Sequence, residues 1–454
     1  MKSKRSLWIL IYILAAALPS VFYILDSLNS DFLLILSGVL GITAYVLFAF
    51  QFLLTSRPKI IDKQFGLDRM YRFHMKIAVI ALILAFLHKT FKEMYFSESL
   101  QTSIGEDAFI IFIAISVFSV LMMVNKLFFK FKPVDMIRKF LNKLLKIKHQ
   151  YKVLIHNITL IGLMFLLVHI LLAYSVSSNL PLEITLIIYF AVPFLLYFNH
   201  KIIKVYFNKS KRYTVSEVIN ESNNIVTVKF KPNNGKVFHY APGQFLYIKI
   251  KNPKIPHDEH PFTISSSPAQ QDYVSVTVKQ LGDFTGKLNL AKVGDQAYID
   301  GAFGTFSYIK RSMNKGNQQA DASVMHKKIC FIAGGIGITP FLSMLRYMDS
   351  VNYGDEVVLL WGARDLSEVV CKKELEDYST RSKSFRLVPV LSNDKAYEGE
   401  KGFIGADLIK KYAVDFLKYD FYICGPPIML EIQIKNLKSL GVSKKNIHFE
   451  RFSI

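Results

Sequence analysis

Cysteine is scarce in this chain: Cys330, Cys371 and Cys424 are the only three in 454 residues. No two of them stand at a metal-thiolate spacing, so neither a disulfide framework nor a thiolate metal centre is present. Acidic residues are also few, 35 against 56 Lys and Arg, which leaves a formal charge of +21. There is no calcium-loop signature, no internal repeat and no low-complexity tract. The positive excess would suit nucleic acid, but the basic residues cluster in short loops between apolar runs. That pattern points to a membrane surface and excludes a nucleic-acid partner. Long apolar runs are themselves missing from the second half of the sequence.

The first half is made of such runs, and they raise the hydrophobic share of the chain to 51%. Six spans are predicted, at about 7–25, 32–54, 73–91, 107–125, 153–174 and 183–199. Each is close to the ~20 residues that cross a bilayer. Lys2, Lys4 and Arg5 precede the first span. Arg57, Lys59, Lys63, Arg69 and Arg72 follow the second. Nine Lys and Arg, from Lys126 to Lys152, separate the fourth from the fifth. The alternate loops carry Asp26, Asp31, Glu93, Glu98, Glu106, Asp107 and Glu183 instead. The asymmetry places both termini in the cytoplasm of a multi-pass protein of the cell membrane.

Two histidine pairs lie within these runs. His74 and His88 are 14 residues apart in the third span, and His156 and His169 are 13 apart in the fifth. Either step is close to whole helical turns, so each pair points one way at heights differing by ~20 Å. Spans three and five run in the same direction, so His74 is expected opposite His156 and His88 opposite His169. Two bis-histidine haems stacked across a bilayer need this arrangement, and an intramembrane ionisable group is a functional candidate by default.

Past residue 211 the pattern shortens. Tyr213–Val218, Asn224–Phe230, Gln244–Ile250 and Tyr273–Gln280 read as strands of an antiparallel barrel. Lys328–Ala333, Glu356–Trp361, Phe385–Leu391 and Phe421–Cys424 read as buried strands of an α/β unit with a parallel sheet. The polar stretch 310–327 joins the two. The domains are thus 1–205, 206–310 and 311–454.

AGGIGITPF (333–341) follows a strand and precedes a helix. Gly334, Gly335 and Gly337 let backbone N–H groups approach a diphosphate; Thr339 is expected to cap the helix and Pro340 to occupy its first turn. HPFT (His260, Pro261, Phe262, Thr263) offers a ring face and hydroxyls to a flat polar ligand. KQLGDFTGKL (279–288) places Lys279, Gly282 and Thr285 in a phosphate-binding turn. Cys424, Gly425 and Pro426 end a later parallel strand, at the edge where such sheets bind ligands. Glu450 and Phe452, two apart near the C-terminus, share one side of an extended strand. Arg364, after another parallel strand, suits a ribose 2′-phosphate.

Together these residues resemble the NADPH oxidase and ferric reductase family over nearly the whole chain. The resemblance implies a six-helix transmembrane haem bundle followed by an FAD-binding barrel and an NAD(P)-binding α/β domain. It implies His74, His88, His156 and His169 as ligands of two b-type haems. It implies HPFT, Gly335, Gly337, Thr339 and Pro340, and Cys424, Gly425 and Pro426 as cofactor contacts, with Phe452 shielding the flavin. Thr263, Cys424, Glu450 and Phe452 are the candidate catalytic residues. Electrons are then expected to run from NADPH (or NADH) through FAD and the haems to oxygen, giving superoxide. Ferric chelate, or a partner protein or quinone, is the alternative acceptor. No obligatory protein partner is implied.

Overall fold

The computed structural model describes residues 2–57, 67–123, 132–145, 147, 149–203, 211–309 and 328–451. Phe452, the joining stretch 310–327, the boundary at 205/206 and Lys59, Lys63, Lys126, Lys130, Lys146 and Lys148 lie outside them. The chain divides into two compact units, Met1–Phe207 and Asn208–Ser453.

The first unit is helical: α1 (Lys2–Asp26), α2 (Phe32–Thr55), α3 (Leu67–Glu93), α4 (Leu100–Met122), α5 (Lys132–Leu145), α6 (His149–His156), α7 (Thr159–Leu171) and α8 (Leu180–Phe198). Among the described residues six helical spans are long and apolar enough to cross a membrane. Polar residues set their ends. Asp31 accepts from the Leu33 N–H at 2.8 Å, Asn179 accepts from Leu182 at 3.1 Å, and Ser99 and Thr102 form a capping box on α4. Inside, Tyr45 donates to the Leu186 carbonyl at 2.8 Å, among Ile42, Val46, Ile170 and Leu182.

The fifth span departs from the sequence expectation of one continuous helix, because it is interrupted between α6 and α7. The Thr159 hydroxyl donates to the His156 carbonyl at 2.8 Å, and the Leu160 N–H turns to Asn157 at 3.0 Å. A side-chain donor has competed for a helical acceptor and tightened the turn. The two flanking histidines still face the same neighbour, α3.

In the second unit, β1 (Arg212–Ser222), β2 (Ile225–Pro232), β3 (Phe245–Lys251), β4 (His260–Thr263), β5 (Val274–Lys279) and β6 (Gln296–Phe303) form an antiparallel sheet of order β4-β3-β6-β1-β2-β5. An Ile264–Val276 bridge joins its two edges and closes the barrel. Alternation along the strands sends Val226, Val228, Val276, Val278, Leu246 and Ile248 into one core. Then β7 (Ile329–Gly334), β8 (Val357–Ala363), β9 (Phe385–Leu391), β10 (Glu400–Lys401), β11 (Asp420–Cys424) and β12 (Ile447–Glu450) form a sheet that is parallel throughout, of order β10-β9-β8-β7-β11-β12. The helices α9 (Thr339–Ser350), α10 (Lys372–Arg381), α11 (Ala406–Tyr412) and α12 (Pro427–Ser439) cover its two faces. Both faces are buried, which accounts for the unbroken apolar runs of β7 and β8.

Candidate functional site

The carboxyl edge of the parallel sheet gathers the glycine loops. β7 and β11 pair in parallel with Ala333 opposite Cys424, so the turn after each strand leaves at one level. Gly335 has φ +53°, a left-handed value that favours glycine. A Cβ on Gly337 would lie 2.3 Å from the Cys424 carbonyl oxygen, and one on Gly334 would lie 2.3 Å from Met429 Sδ and 2.8 Å from Pro426. The two turns are back to back because Gly334 and Gly337 put no side chain of their own between them. Trp361, fully buried on β8, donates from Nε1 to the Gly335 carbonyl at 3.0 Å and fixes the loop from below.

Thr339 corrects one expectation. It is the first residue of α9, and its hydroxyl donates back to the Ile336 carbonyl at 3.2 Å instead of capping the helix. The Thr339 backbone N–H goes to the same Ile336 carbonyl, so no side chain caps α9 and its first N–H is spent within the turn. Pro340 sits in the first turn, where its missing N–H costs nothing. Cys424 is buried, with its thiol held well above the usual range by burial and by the Glu450 carboxylate, its register partner on β12. It is therefore a neutral thiol at physiological pH, and no nucleophile.

In β4 alternation splits HPFT. His260 and Phe262 turn to Phe284, with ring centres 4.3 and 5.8 Å away, so their faces are used within the barrel. Pro261 and Thr263 occupy the other side, where Pro261 is exposed and Thr263 half-buried. His260 and Phe262 thus each turn one side to Phe284, and Thr263 stands on the opposite side of the strand. The turn at 281–285 also differs from expectation. Thr285 Oγ1 accepts from the N–H groups of Leu281 and Gly282 at 3.1 and 2.8 Å, so neither is left for a phosphate. Lys279 is likewise engaged, donating to Glu368 Oε1 at 2.6 Å. Glu368 Oε2 in turn accepts from the Arg364 backbone N–H at 3.3 Å. Lys279 therefore steadies the turn that carries Arg364, whose side chain is exposed beyond β8.

Residues that no motif marked hold barrel and sheet together. Arg346 on α9 donates to the Ser265 carbonyl at 2.7 Å and forks onto Glu374, with both contacts at 2.7 Å. Ser343 donates to the Ser266 carbonyl at 2.6 Å. The strand continuing from HPFT is thereby tied to the helix that begins at the glycine loop. The bidentate fork makes lysine a poor replacement for Arg346.

In the helical unit the four histidines meet in two pairs. The rings of His74 and His156 are 6.1 Å apart, and those of His88 and His169 are 6.2 Å apart. A metal ion bonded to both rings at about 2 Å would set imidazole centres about 6 Å apart. His88 Nδ1 donates to the Ser37 carbonyl at 2.8 Å, and His169 Nδ1 to the Gln101 carbonyl at 2.7 Å. A carbonyl can only accept, so both rings carry the proton on Nδ1 and a lone pair on Nε2. His156 Nδ1 lies 2.9 Å from Ser119 Oγ, whose own proton goes to the Ile115 carbonyl at 2.7 Å, and the same tautomer follows. This is the anchoring found around metal-ligating histidines.

Glycine admits two of these rings. A Cβ on Gly41 would lie 2.7 Å from His88 Nδ1, and one on Gly105 would lie 2.5 Å from His169 Nδ1. Each glycine stands four residues after the carbonyl that accepts the bond. Among the described residues, His74 Nδ1 and both amide atoms of Gln51 are buried without a partner. No described group of three or more His, Cys, Asp or Glu suits a metal ion; each level offers two imidazoles, the donor set of axial haem ligation. The residues present fit such a group.

The C-terminal unit is a ferredoxin–NADP reductase-like oxidoreductase module that uses FAD and NAD(P)H. Residues 198–321 match the FAD-binding domain family and residues 331–435 the oxidoreductase NAD-binding domain family. Similar curated proteins include the glycine betaine monooxygenase reductase subunit of Chromohalobacter salexigens, 27% identical over 56% of this chain and 68% of that protein. The Pseudomonas aeruginosa protein of the same description is 28% identical over 52% of this chain and 62% of its own length. The propane 2-monooxygenase reductase component of Mycolicibacterium goodii is 25% identical over 53% and 67%. The chain thus spans roughly two thirds of these relatives. Among solved structures, the FAD/NAD-binding domain of a Vibrio cholerae nitric oxide dioxygenase aligns with TM-score 0.46 and 22% identity, over 54% of this chain and 98% of that one. The relatives correct one expectation. They are described as reductase subunits or components of monooxygenases, so the absence of an obligatory protein partner does not stand.

Proposed function

We propose that this chain is a transmembrane electron donor of the cell membrane. It takes hydride from NAD(P)H on its cytoplasmic side and delivers single electrons on the other. The carrying observation is the pair of ring separations, 6.1 and 6.2 Å, with Nδ1 of three rings engaged as a donor. His74 with His156 would hold an inner b-type haem and His88 with His169 an outer one. When bound, FAD would supply the conversion of a two-electron donor into single electrons, and haem at the two histidine levels would supply one-electron carriers. The protein's own residues bind and orient. The backbone at Gly335 and Gly337 receives the diphosphate of the nicotinamide nucleotide. Thr263 faces the flavin, and Cys424 and Glu450 close the edge beside the nicotinamide. Since each level would spend both of its imidazoles on the haem it holds, an acceptor would have to take its electron without bonding the iron.

A redox partner protein is the acceptor this reading favours, because the relatives of the flavin module are themselves reductase parts of oxygenases. Oxygen giving superoxide, or a ferric chelate, is the second reading. It is favoured by the likeness of the four-histidine half to the NADPH oxidase and ferric reductase family. Aerobic reduction of cytochrome c by the FAD-loaded protein with NADPH, with and without superoxide dismutase, separates them. Insensitivity to the dismutase is expected for direct donation to a protein; strong inhibition would replace that reading with the second.

Arg364 is expected to read the 2′-phosphate. Arg364→Ala should raise KM for NADPH about tenfold, equivalent to about 1.4 kcal/mol of binding, with KM for NADH unchanged. Equal effects on the two donors in steady-state assays would remove it from nucleotide selection.

A further inference from the structure

Between α4 and α6 lies a helix that no step of the electron path uses. On α5, Met136, Phe140 and Leu144 recur every four residues and are 70, 64 and 64% exposed, with Ile137 beside them. They form an outward apolar row. Lys139 and Lys143 project next to the row, and Asp135 is already paired with Arg138 and Lys139 at 2.9 and 3.2 Å. The opposite side is pinned to the spans. Asn142 accepts from Lys152 Nζ at 2.7 Å, and the same ammonium donates to the Met122 carbonyl at 3.1 Å, the last residue of α4. That contact holds α5 at the level where two spans end, with its polar side inward and its apolar row outward. Across residues 126–152 the sequence holds nine Lys and Arg and one acidic residue, Asp135.

We propose that α5 lies in the inner leaflet of the membrane as an interfacial helix, with Met136, Phe140 and Leu144 among the acyl chains and Lys139 and Lys143 against acidic phospholipid head groups. An amphipathic helix of this composition buries its apolar face about 5–10 Å below the head groups. The density of positive charge selects an anionic leaflet over a neutral one. Protein partners are disfavoured because the lysines are interleaved with the apolar row, a pattern depleted from protein interfaces. The inference rests on the reading of the helical unit as membrane-spanning.

The test uses the full FAD-loaded chain in nanodiscs of brominated phosphatidylcholine, alone or mixed with phosphatidylglycerol. The fluorescence added by Phe140→Trp, and separately by Phe86→Trp on α3, is measured above that of the parent. Phe86 is exposed on a spanning helix and reports on membrane insertion alone. Both additions are expected to be quenched by the bromines. The Phe140 signal should be quenched more in the acidic disc, and Lys139→Glu with Lys143→Glu should abolish that difference. Quenching at Phe86 without quenching at Phe140 would overturn the inference, whether the helix is bare or covered by protein, and leave the spanning reading intact. Equal quenching of Phe140 in both lipids would overturn the preference for acidic head groups. No quenching at either position would overturn the spanning reading itself.

Discussion

Replacing His88 by alanine is expected to remove the outer haem and leave flavin reduction by NADPH at the parent rate. The argument is geometric. His88 reaches the middle of its level with Nε2 bearing the lone pair, since Nδ1–H is committed to the Ser37 carbonyl. Its counterpart His169 is held in the same manner by Gln101. Alanine would leave one imidazole and a gap beside Gly41, and among the described residues no group of three or more His, Cys, Asp or Glu offers a replacement. The inner pair is anchored separately, through Ser119, so its haem should remain. Total haem should fall by half, and reduction of an external acceptor should be lost while anaerobic bleaching of the flavin proceeds. Haem content equal to the parent's, by pyridine haemochrome, would dismiss His88 as a ligand.

Gly337→Ala is expected to slow hydride transfer from NAD(P)H by a factor of a hundred or more, and to leave FAD content unchanged. The added methyl would stand 2.3 Å from the Cys424 oxygen, 2.6 Å from its carbonyl carbon and 2.8 Å from Gly425 Cα. All three are backbone atoms, so no rotamer relieves the clash; β7 and β11 must part at their ends. Overpacking of this kind typically costs about 1–3 kcal/mol, and a displacement of about 1 Å at a reacting centre can cost 10²-fold in rate. The packed core of the barrel takes no part in this contact. Gly335→Ala is the contrast. Its Cβ would meet nothing within 4 Å, so only the left-handed backbone is strained, at about 1–2 kcal/mol. Stopped-flow flavin reduction by NADPH, with dithionite reduction as a control, reads both variants. A parent-like rate for Gly337→Ala would mean that the back-to-back turns do not govern nucleotide binding.

What the sequence disclosed depended on how regular each signal was. The apolar spans and the β-branched runs of β7, β8 and β9 are periodic and long, so their elements were visible. β6 was not, because its run carries Asp300 and Gly301 mid-strand. Asp300 is tolerated there, though buried, because Lys211 pairs with it. The fifth span looked unbroken because a Thr two residues past Asn157 is unremarkable until its hydroxyl finds the His156 carbonyl. The 281–285 turn and Lys279 looked like ligand contacts because their residue types suit phosphate; in the fold, the turn's N–H groups go to Thr285 Oγ1 and Lys279 goes to Glu368. Arg346 belongs to no motif, and its role exists only once strand and helix are packed together. The facing of the histidines followed from helical periodicity. Their anchors did not, since Ser37, Gly41, Gly105 and Ser119 resemble any small residue of an apolar helix. The usable signal is a glycine or serine in an apolar span, level with a histidine on a neighbouring span.

Those anchors give the two levels unequal room to evolve. His88 and His169 hang from main-chain oxygens, which no substitution can delete, and the glycines that admit them cannot grow without displacing the ring. Their orientation is frozen by the polypeptide itself. His156 instead leans on a serine hydroxyl, which a single codon change can lengthen, shift or remove. If the proposed path holds, natural variation in its driving force should accumulate at the level of His74 and His156, while that of His88 and His169 keeps a fixed setting across descendants of this chain.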